Sequence, residues 1–185
     1  MFLDRDGTIN EERGHINSPD DLELLSGATT AIRRLNRSKY LTVVVTNQSV
    51  IARGKCTETG MEEIHNRLQS LIGEDGASID RIYYCPHYPD QGIRGGRKDL
   101  KIVCDCRKPK PGLITKATKD MNIDLNLSWM VGDMTSDIEA AKRAGIRSIL
   151  LSKRGVFDNQ WPVSPDAKCL DLKEAVNFIL NYSID

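Results

Sequence analysis

At 185 residues, 39% of them apolar and 28% charged, the chain is long enough to bury a core without disulfide or metal staples and short enough for one domain over residues 1–185. Lys plus Arg and Asp plus Glu balance at 26 each, so no global field favours nucleic acid or an anionic membrane surface. No apolar run approaches the roughly 18 residues that span a bilayer. The opening Met1-Phe2-Leu3-Asp4 lacks the pattern of a signal peptide. The expectation is therefore a cytoplasmic protein with no nucleic-acid and no membrane partner, monomeric because no coiled-coil pattern is present.

Short β-rich runs alternate with helical stretches, the signature of a parallel sheet with helical crossovers. Phe2-Leu3 opens the first strand. Only three residues precede Asp4, fewer than a central strand of about 5–6 residues supplies, so a truncated start, or a piece cut from a fusion, is expected. A helical face of Ala28, Ala31, Ile32 and Leu35 follows within residues 27–38. Leu41 to Val45 reads as the second strand. Thr57 can cap a helix to about Ile72, carrying Met61, Ile64, Leu68 and Leu71. Ile79 to Tyr84 reads as the third strand.

Pro86 to Pro111 is the only long connection without helix or strand signals, and loops of that length are commonly functional. Pro111 suits the first turn of a helix to about Met121. Trp129 to Val131 and Ile146 to Leu151 read as the fourth and fifth strands. Between them Thr135 or Ser136 caps a helix ending at Gly145, and Asp171 opens the last helix. The fold class is α/β: a Rossmann-like three-layer parallel sheet with helices on both faces. No insertion is large enough for a cap domain.

Asp4-Arg5-Asp6-Gly7-Thr8 places two carboxylates just past a buried strand, where open parallel sheets bind ligands. Gly7 permits a sharp turn there, with its amide free to approach an anion. Taken alone, this could be an ordinary acidic turn. Trp129-Met130-Val131-Gly132-Asp133 repeats the pattern, with Asp137 one helical turn on. Two acidic strand ends can converge on a hard cation such as Mg2+. A third strand runs into Thr46-Asn47-Gln48-Ser49, whose hydroxyls and amides suit phosphate oxygens.

Cys85-Pro86-His87 and Cys104-Asp105-Cys106 form two tight ligand pairs separated by sixteen residues. Three thiolates and an imidazole complete the closed tetrahedral shell of a structural Zn2+ site. The alternatives are free cysteines beside a surface histidine, or a Cys104–Cys106 disulfide. The odd total of five cysteines favours metal in a reducing compartment. Cys56 and Cys169 have no partner pattern. His15 and His65 carry no clear signal, and His65 reads as a solvated residue on a helix face.

Asp-x-Asp-Gly-Thr, a strand running into Thr46, Lys108 downstream, and Gly-Asp-x-x-x-Asp at Gly132 to Asp137 occur here in order. Together they resemble the haloacid dehalogenase (HAD) superfamily of phosphotransferases. The resemblance implies that Asp4 attacks phosphorus to form an aspartyl-phosphate. Asp6 would protonate the leaving alcohol and then act as base on the hydrolytic water. Mg2+ would be held by the side chains of Asp4 and Asp133 and the backbone carbonyl of Asp6. Thr46 and Lys108 would hold the transferring phosphoryl group.

The Cys/His loop running into Arg107-Lys108-Pro109 is shared by two groups within the superfamily, the histidinol-phosphate and the D-glycero-D-manno-heptose 1,7-bisphosphate phosphatases. Val45 to Lys55 and Tyr83 to His87 look like the heptose group, over about residues 2–155. What that implies is removal of the 7-phosphate during nucleotide-heptose synthesis, from a small phosphorylated sugar. Glu12, Arg13, Gly14, His15, Asn47, Gln48, Ser49 and Arg107 would contact substrate. Arg107 suits this because its planar fork matches a phosphate. Met134 departs from the lysine that is usual in the heptose group. Histidinol phosphatase stands as the alternative, and a non-catalytic zinc-containing binding module as the alternative of another class. A polynucleotide 3′-phosphatase would require a basic groove that the sequence lacks.

Overall fold

The computed structural model describes residues 1–89, 92, 95–152 and 160–182. Its strands, in chain order, are β1 (Phe2–Leu3), β2 (Val43–Asn47), β3 (Arg81–Cys85), β4 (Trp129–Gly132), β5 (Arg147–Leu151) and β6 (Ala167–Cys169). They form a single sheet in the order β3-β2-β1-β4-β5-β6, with every pairing parallel. The helices are α1 (Ala28–Asn36), α2 (Glu58–Glu74), α3 (Gly112–Met121), α4 (Thr135–Ala144) and α5 (Leu172–Leu180).

Side-chain alternation along each strand builds two apolar layers. Leu3, Val44, Val131 and Ile149 pack with Ile32 and Leu35 of α1, Ile64 and Leu68 of α2, and Val176 of α5. Phe2, Val43, Val45 and Met130 pack on the other face with Ile114 of α3 and Ala140 and Ala141 of α4. The sheet is thus buried on both sides, which is why its strands read as near-continuous apolar runs.

Although β1 has only two residues, both pair to each side: Phe2 with Val43 and Met130, Leu3 with Val44 and Val131. The chain leaves β1 toward β2 on one side and later returns to β4 on the other. That reversal opens a crevice beyond the C-terminal ends of β1 and β4. The first residues past those ends are Asp4 and Asp133.

Several sequence boundaries move. The second strand starts at Val43 rather than Leu41, because Leu41 is 39% exposed and the Thr42 amide donates to the Asp80 carboxylate at 2.6 Å. The third starts at Arg81, after the Asp80 amide has closed on the Thr42 carbonyl at 2.9 Å, and it ends on Cys85. Thr46, Asn47 and Cys85 therefore lie inside strands. The short edge strand β6 had no sequence signal. Residues 86–111 are not the only long connection, since the β1–α1 segment is also long and holds a 3₁₀ turn at Pro19–Asp21 capped by Ser18. Helix α4 is capped neither by Ser136 nor by Thr135. Its N-cap is Met134, whose amide is met by Asp137 Oδ2 at 3.1 Å.

His65 is the largest correction. It is buried, not solvated, with its ring edge-on to Tyr84 at 5.4 Å and Nε2 without a hydrogen-bond partner. Burial, reinforced by the Arg5 cation, lowers its pKa from 6.5 to about 3. Between those values the unfolded chain binds a proton that the folded one refuses. Stability is therefore complete above pH 6.5 and falls with acid, by up to about 1.4 kcal/mol per pH unit from this one group. His65→Leu should flatten the pH dependence of urea unfolding between pH 6.5 and 4. An unchanged slope would mean that His65 is not buried neutral.

Candidate active site and metal-ligating clusters

Lys108 is the electrostatic centre of the crevice. Its Nζ lies 2.8 Å from Asp4 Oδ1 and 2.6 Å from Asp137 Oδ1, and donates to the Val45 carbonyl at 2.8 Å. Burial alone would lower its pKa, but the carboxylates of Asp137 and Asp4 outweigh that and hold it above the usual lysine range. Asp4 Oδ1 also accepts the Arg5 amide at 2.7 Å.

Asp133 closes the group on the β4 side. A Cβ on Gly7 (φ 75°) would stand 2.0 Å from Asp133 Oδ2, and one on Gly132 would stand 2.2 Å from Asp137 Oδ2. Only glycine lets the two acidic turns approach this closely.

Burial first, and then the charges of Asp4 and Asp137, push the Asp133 carboxyl up to about 8. Burial likewise raises Asp137, to about 7, with Lys108 opposing. Three carboxylates facing one ammonium leave an excess of negative charge, and Asp133 Oδ1 is buried with no hydrogen-bond partner. Oxygens of Asp4, Asp133 and Asp137 lie within 4.8 Å of one another. An all-oxygen, anionic, under-satisfied set of this kind fits Mg2+.

Asp6 is held differently. Its Oδ1 accepts from Arg5 Nε at 3.0 Å and Asn10 Nδ2 at 2.8 Å, and its Oδ2 from Arg5 Nη2 at 3.0 Å and Gln48 Nε2 at 2.8 Å. Gln48 Nε2 also reaches Thr46 Oγ1 at 2.9 Å. Asn47 grips the backbone of Lys108 twice, donating to its carbonyl at 3.1 Å and accepting its amide at 3.0 Å.

The second cluster brings together Cys85, His87, Cys104 and Cys106. Cys106 Sγ lies 3.2 Å from Cys85 Sγ, 3.3 Å from Cys104 Sγ and 3.2 Å from His87 Nδ1. A disulfide requires about 2.05 Å, so the Cys104–Cys106 alternative does not hold here, and all the described cysteines are free. Zn–S bonds of about 2.3 Å in a tetrahedron give ligand edges near 3.8 Å; the separations here, 3.2–3.6 Å, lie somewhat inside that. Hydrogen bonding from the Cys85 thiol outweighs burial and holds the Cys106 thiol down to about 5. Three sulfurs and one imidazole nitrogen make a donor set that fits zinc and leaves no open position.

Both clusters border a cleft of about 770 Å³ lined by Asp4, Asp6, Glu12, Thr46, Asn47, Arg107, Lys108 and Asp133 among the residues expected from sequence. Arg107 donates to the His87 carbonyl at 3.2 Å and lies over the Tyr88 ring at 5.1 Å. Arg13, Gly14, His15, Gln48 and Ser49 do not line that cleft. Arg13 pairs with Glu23, Gly14 donates to Glu12, Ser49 accepts from Arg53 at 3.4 Å, and Gln48 lies buried behind Asp6.

Sequence reasoning passed over Tyr88, Arg143 and Trp161, which line the cleft. Arg143 stacks on Trp161 at 5.5 Å, and no local pattern announces either. Met134 lines the same cleft, as does Arg143 of α4, whose Nε pairs with Glu139 at 2.8 Å.

A HAD-hydrolase-like family model matches residues 105–175. The D-glycero-beta-D-manno-heptose-1,7-bisphosphate 7-phosphatase of Escherichia coli K12 is 38% identical over the whole chain and 90% of its own length. The chain belongs to the HAD-like family of these phosphatases. The enzyme of the same name from Haemophilus ducreyi is 42% identical over 84% of the chain and 83% of its own. A solved D,D-heptose 1,7-bisphosphate phosphatase from B. bronchiseptica, complexed with magnesium and phosphate, superposes with a TM-score of 0.84. It is 30% identical and covers 99% of this chain and 98% of its own. Membership in the HAD-like family accounts for the α/β sheet, and no helix among the described residues is long and apolar enough to cross a membrane.

Proposed function

We propose that the chain is a phosphoric monoester hydrolase that removes the 7-phosphate of D-glycero-D-manno-heptose 1,7-bisphosphate. The observation that carries this is 38% identity along the whole chain to an enzyme of that name, joined to an Asp4 carboxylate at the crevice beside a buried ammonium. Asp4 attacks phosphorus, and the bond to the leaving oxygen breaks as the acyl phosphate forms. Asp6 delivers a proton to the departing alcohol, then takes one from the water that regenerates Asp4. Lys108 and the Thr46 hydroxyl hold the transferring group's oxygens. Asp4, Asp133 and the Asp6 carbonyl would hold Mg2+, which offsets the charge that the carboxylate and phosphate share. On the cleft walls, Arg107 and Arg143 can each meet an anionic or hydroxyl-rich substrate.

Cys85, His87, Cys104 and Cys106 would hold a structural zinc that ties the 86–111 connection to the sheet. Thiolate ligation of this kind suits the reducing cytoplasm, where we place the protein as a monomer.

Phosphate release from the heptose bisphosphate, measured beside histidinol phosphate, tests the substrate. Preference for histidinol phosphate would move the chain to the other group. Metal analysis should find about one tightly held zinc per chain, with turnover restored to chelated enzyme by Mg2+ alone. Turnover indifferent to Mg2+ would remove the mechanism.

A further inference from the structure

Asp6 has no freedom of its own in this fold. Four N–H groups from three residues reach its two oxygens at 2.8–3.0 Å, and 19% of its side chain stays accessible, at the cleft that it lines. The donors are themselves immobilised. Arg5 and Asn10 are wholly buried and Gln48 is 2% exposed. The remaining Arg5 nitrogen, Nη1, meets Met61 Sδ of α2 at 3.4 Å, and the backbone N–H of Gln48 donates to the Cys85 carbonyl at 2.8 Å.

Gln48 has a second attachment, because its Nε2 also reaches Thr46 Oγ1 at 2.9 Å. One amide group therefore bridges the acid–base carboxylate and the hydroxyl that faces the phosphoryl group. We propose that Gln48 is a positioning residue rather than a substrate contact. With Arg5 it fixes how Asp6 faces the leaving oxygen, and it ties that orientation to Thr46. The inference rests on the reading of Asp6 as the phosphatase's general acid.

The physical reason is geometric. Proton delivery needs the donor oxygen within about 3 Å of the leaving oxygen and along its lone pair. An aspartate with two free torsions meets that condition only part of the time. The guanidinium fork constrains both torsions, since its two parallel bonds define a plane for the carboxylate. Removing the amide leaves the fork in place but cuts the tie to Thr46.

A series of substituted phenyl phosphates tests this, because none carries a sugar and they differ in how much the leaving oxygen needs a proton. The quantity read is kcat/KM with Mg2+ present, which reports the step up to the acyl phosphate. For Gln48→Ala, we expect about a 10-fold loss with phenyl phosphate and little change with dinitrophenyl phosphate. The plot against leaving-group basicity thus steepens toward that of Asp6→Asn. Arg5→Lys, which keeps the charge and loses the fork, should steepen it too, and serves if Gln48→Ala does not fold. Lines parallel to wild type, whether lower or superimposed, overturn the inference. A wild-type enzyme that releases phosphate neither from these esters nor from the heptose bisphosphate takes down the phosphatase reading itself, and one active on the bisphosphate alone, with Gln48→Ala equal to wild type on it, overturns the inference.

Discussion

Asp4→Asn should lose essentially all turnover while folding as well as wild type. A nucleophile that forms the covalent intermediate has no substitute, and such removals cost on the order of 10⁶ in kcat in well-studied hydrolases. The asparagine keeps the shape and one oxygen for the Arg5 amide, which donates to Asp4 Oδ1 at 2.7 Å. It also removes a negative charge from a group that holds too many, for Asp4 is among the causes pushing Asp133 up to about 8. Thermal stability without divalent cation should therefore be equal or higher, although Lys108 loses one partner. Phosphate release and calorimetry on the same preparation check both halves. Retention of more than about a tenth of wild-type turnover would exclude covalent catalysis at Asp4.

Lys108→Met should be the most destabilising single change in the crevice. Methionine fills nearly the same volume, so packing is spared. The charge lost is the one that Asp137, 0% exposed, contacts at 2.6 Å. Breaking a buried pair by removing one partner costs about 3–5 kcal/mol, a large share of the roughly 5–15 kcal/mol available to a domain. The loss has a pH signature. Asp137 already sits near 7 with the ammonium beside it; without it the folded-state value rises further above the unfolded one. Stability then falls as pH climbs through and beyond neutrality. Urea unfolding at pH 6 and pH 8.5 should show the larger deficit at the higher pH, and Asp137→Asn in the same chain should recover part of it. A deficit under about 1 kcal/mol at both would mean that the three-way contact is not a stability element.

Much of this arrangement was legible because its signals are local. Strand, glycine and acid recur at Leu3 to Gly7 and at Val131 to Asp133, and parallel topology brings such strand ends to one edge. The two metal-ligating pairs were legible from spacing. What escaped depends on contacts between distant segments. The burial of His65 follows from α2 lying over Arg5 and Tyr84, and nothing within its own helix distinguishes it from an exposed histidine. Gln48 was expected at the substrate. Its side chain reaches Asp6 and Thr46, contacts that its own segment does not announce. Trp161 and Arg143 meet at the cleft from positions 18 residues apart. The strand β6 is too short to carry a period.

The edge pairing of β2 with β3 has a mechanical consequence. Asn47 and Cys85 are register partners at the last rung of that pairing. From one end of the rung the thiol enters the Cys/His cluster; from the other, the amide side chain clasps the backbone of Lys108. A long excursion of chain is thereby moored twice to the same rung, once at its departure and once at its return. The ammonium of Lys108 is thus tied through one rung to the Cys/His cluster, and a substitution at either member of that rung should be transmitted to Lys108.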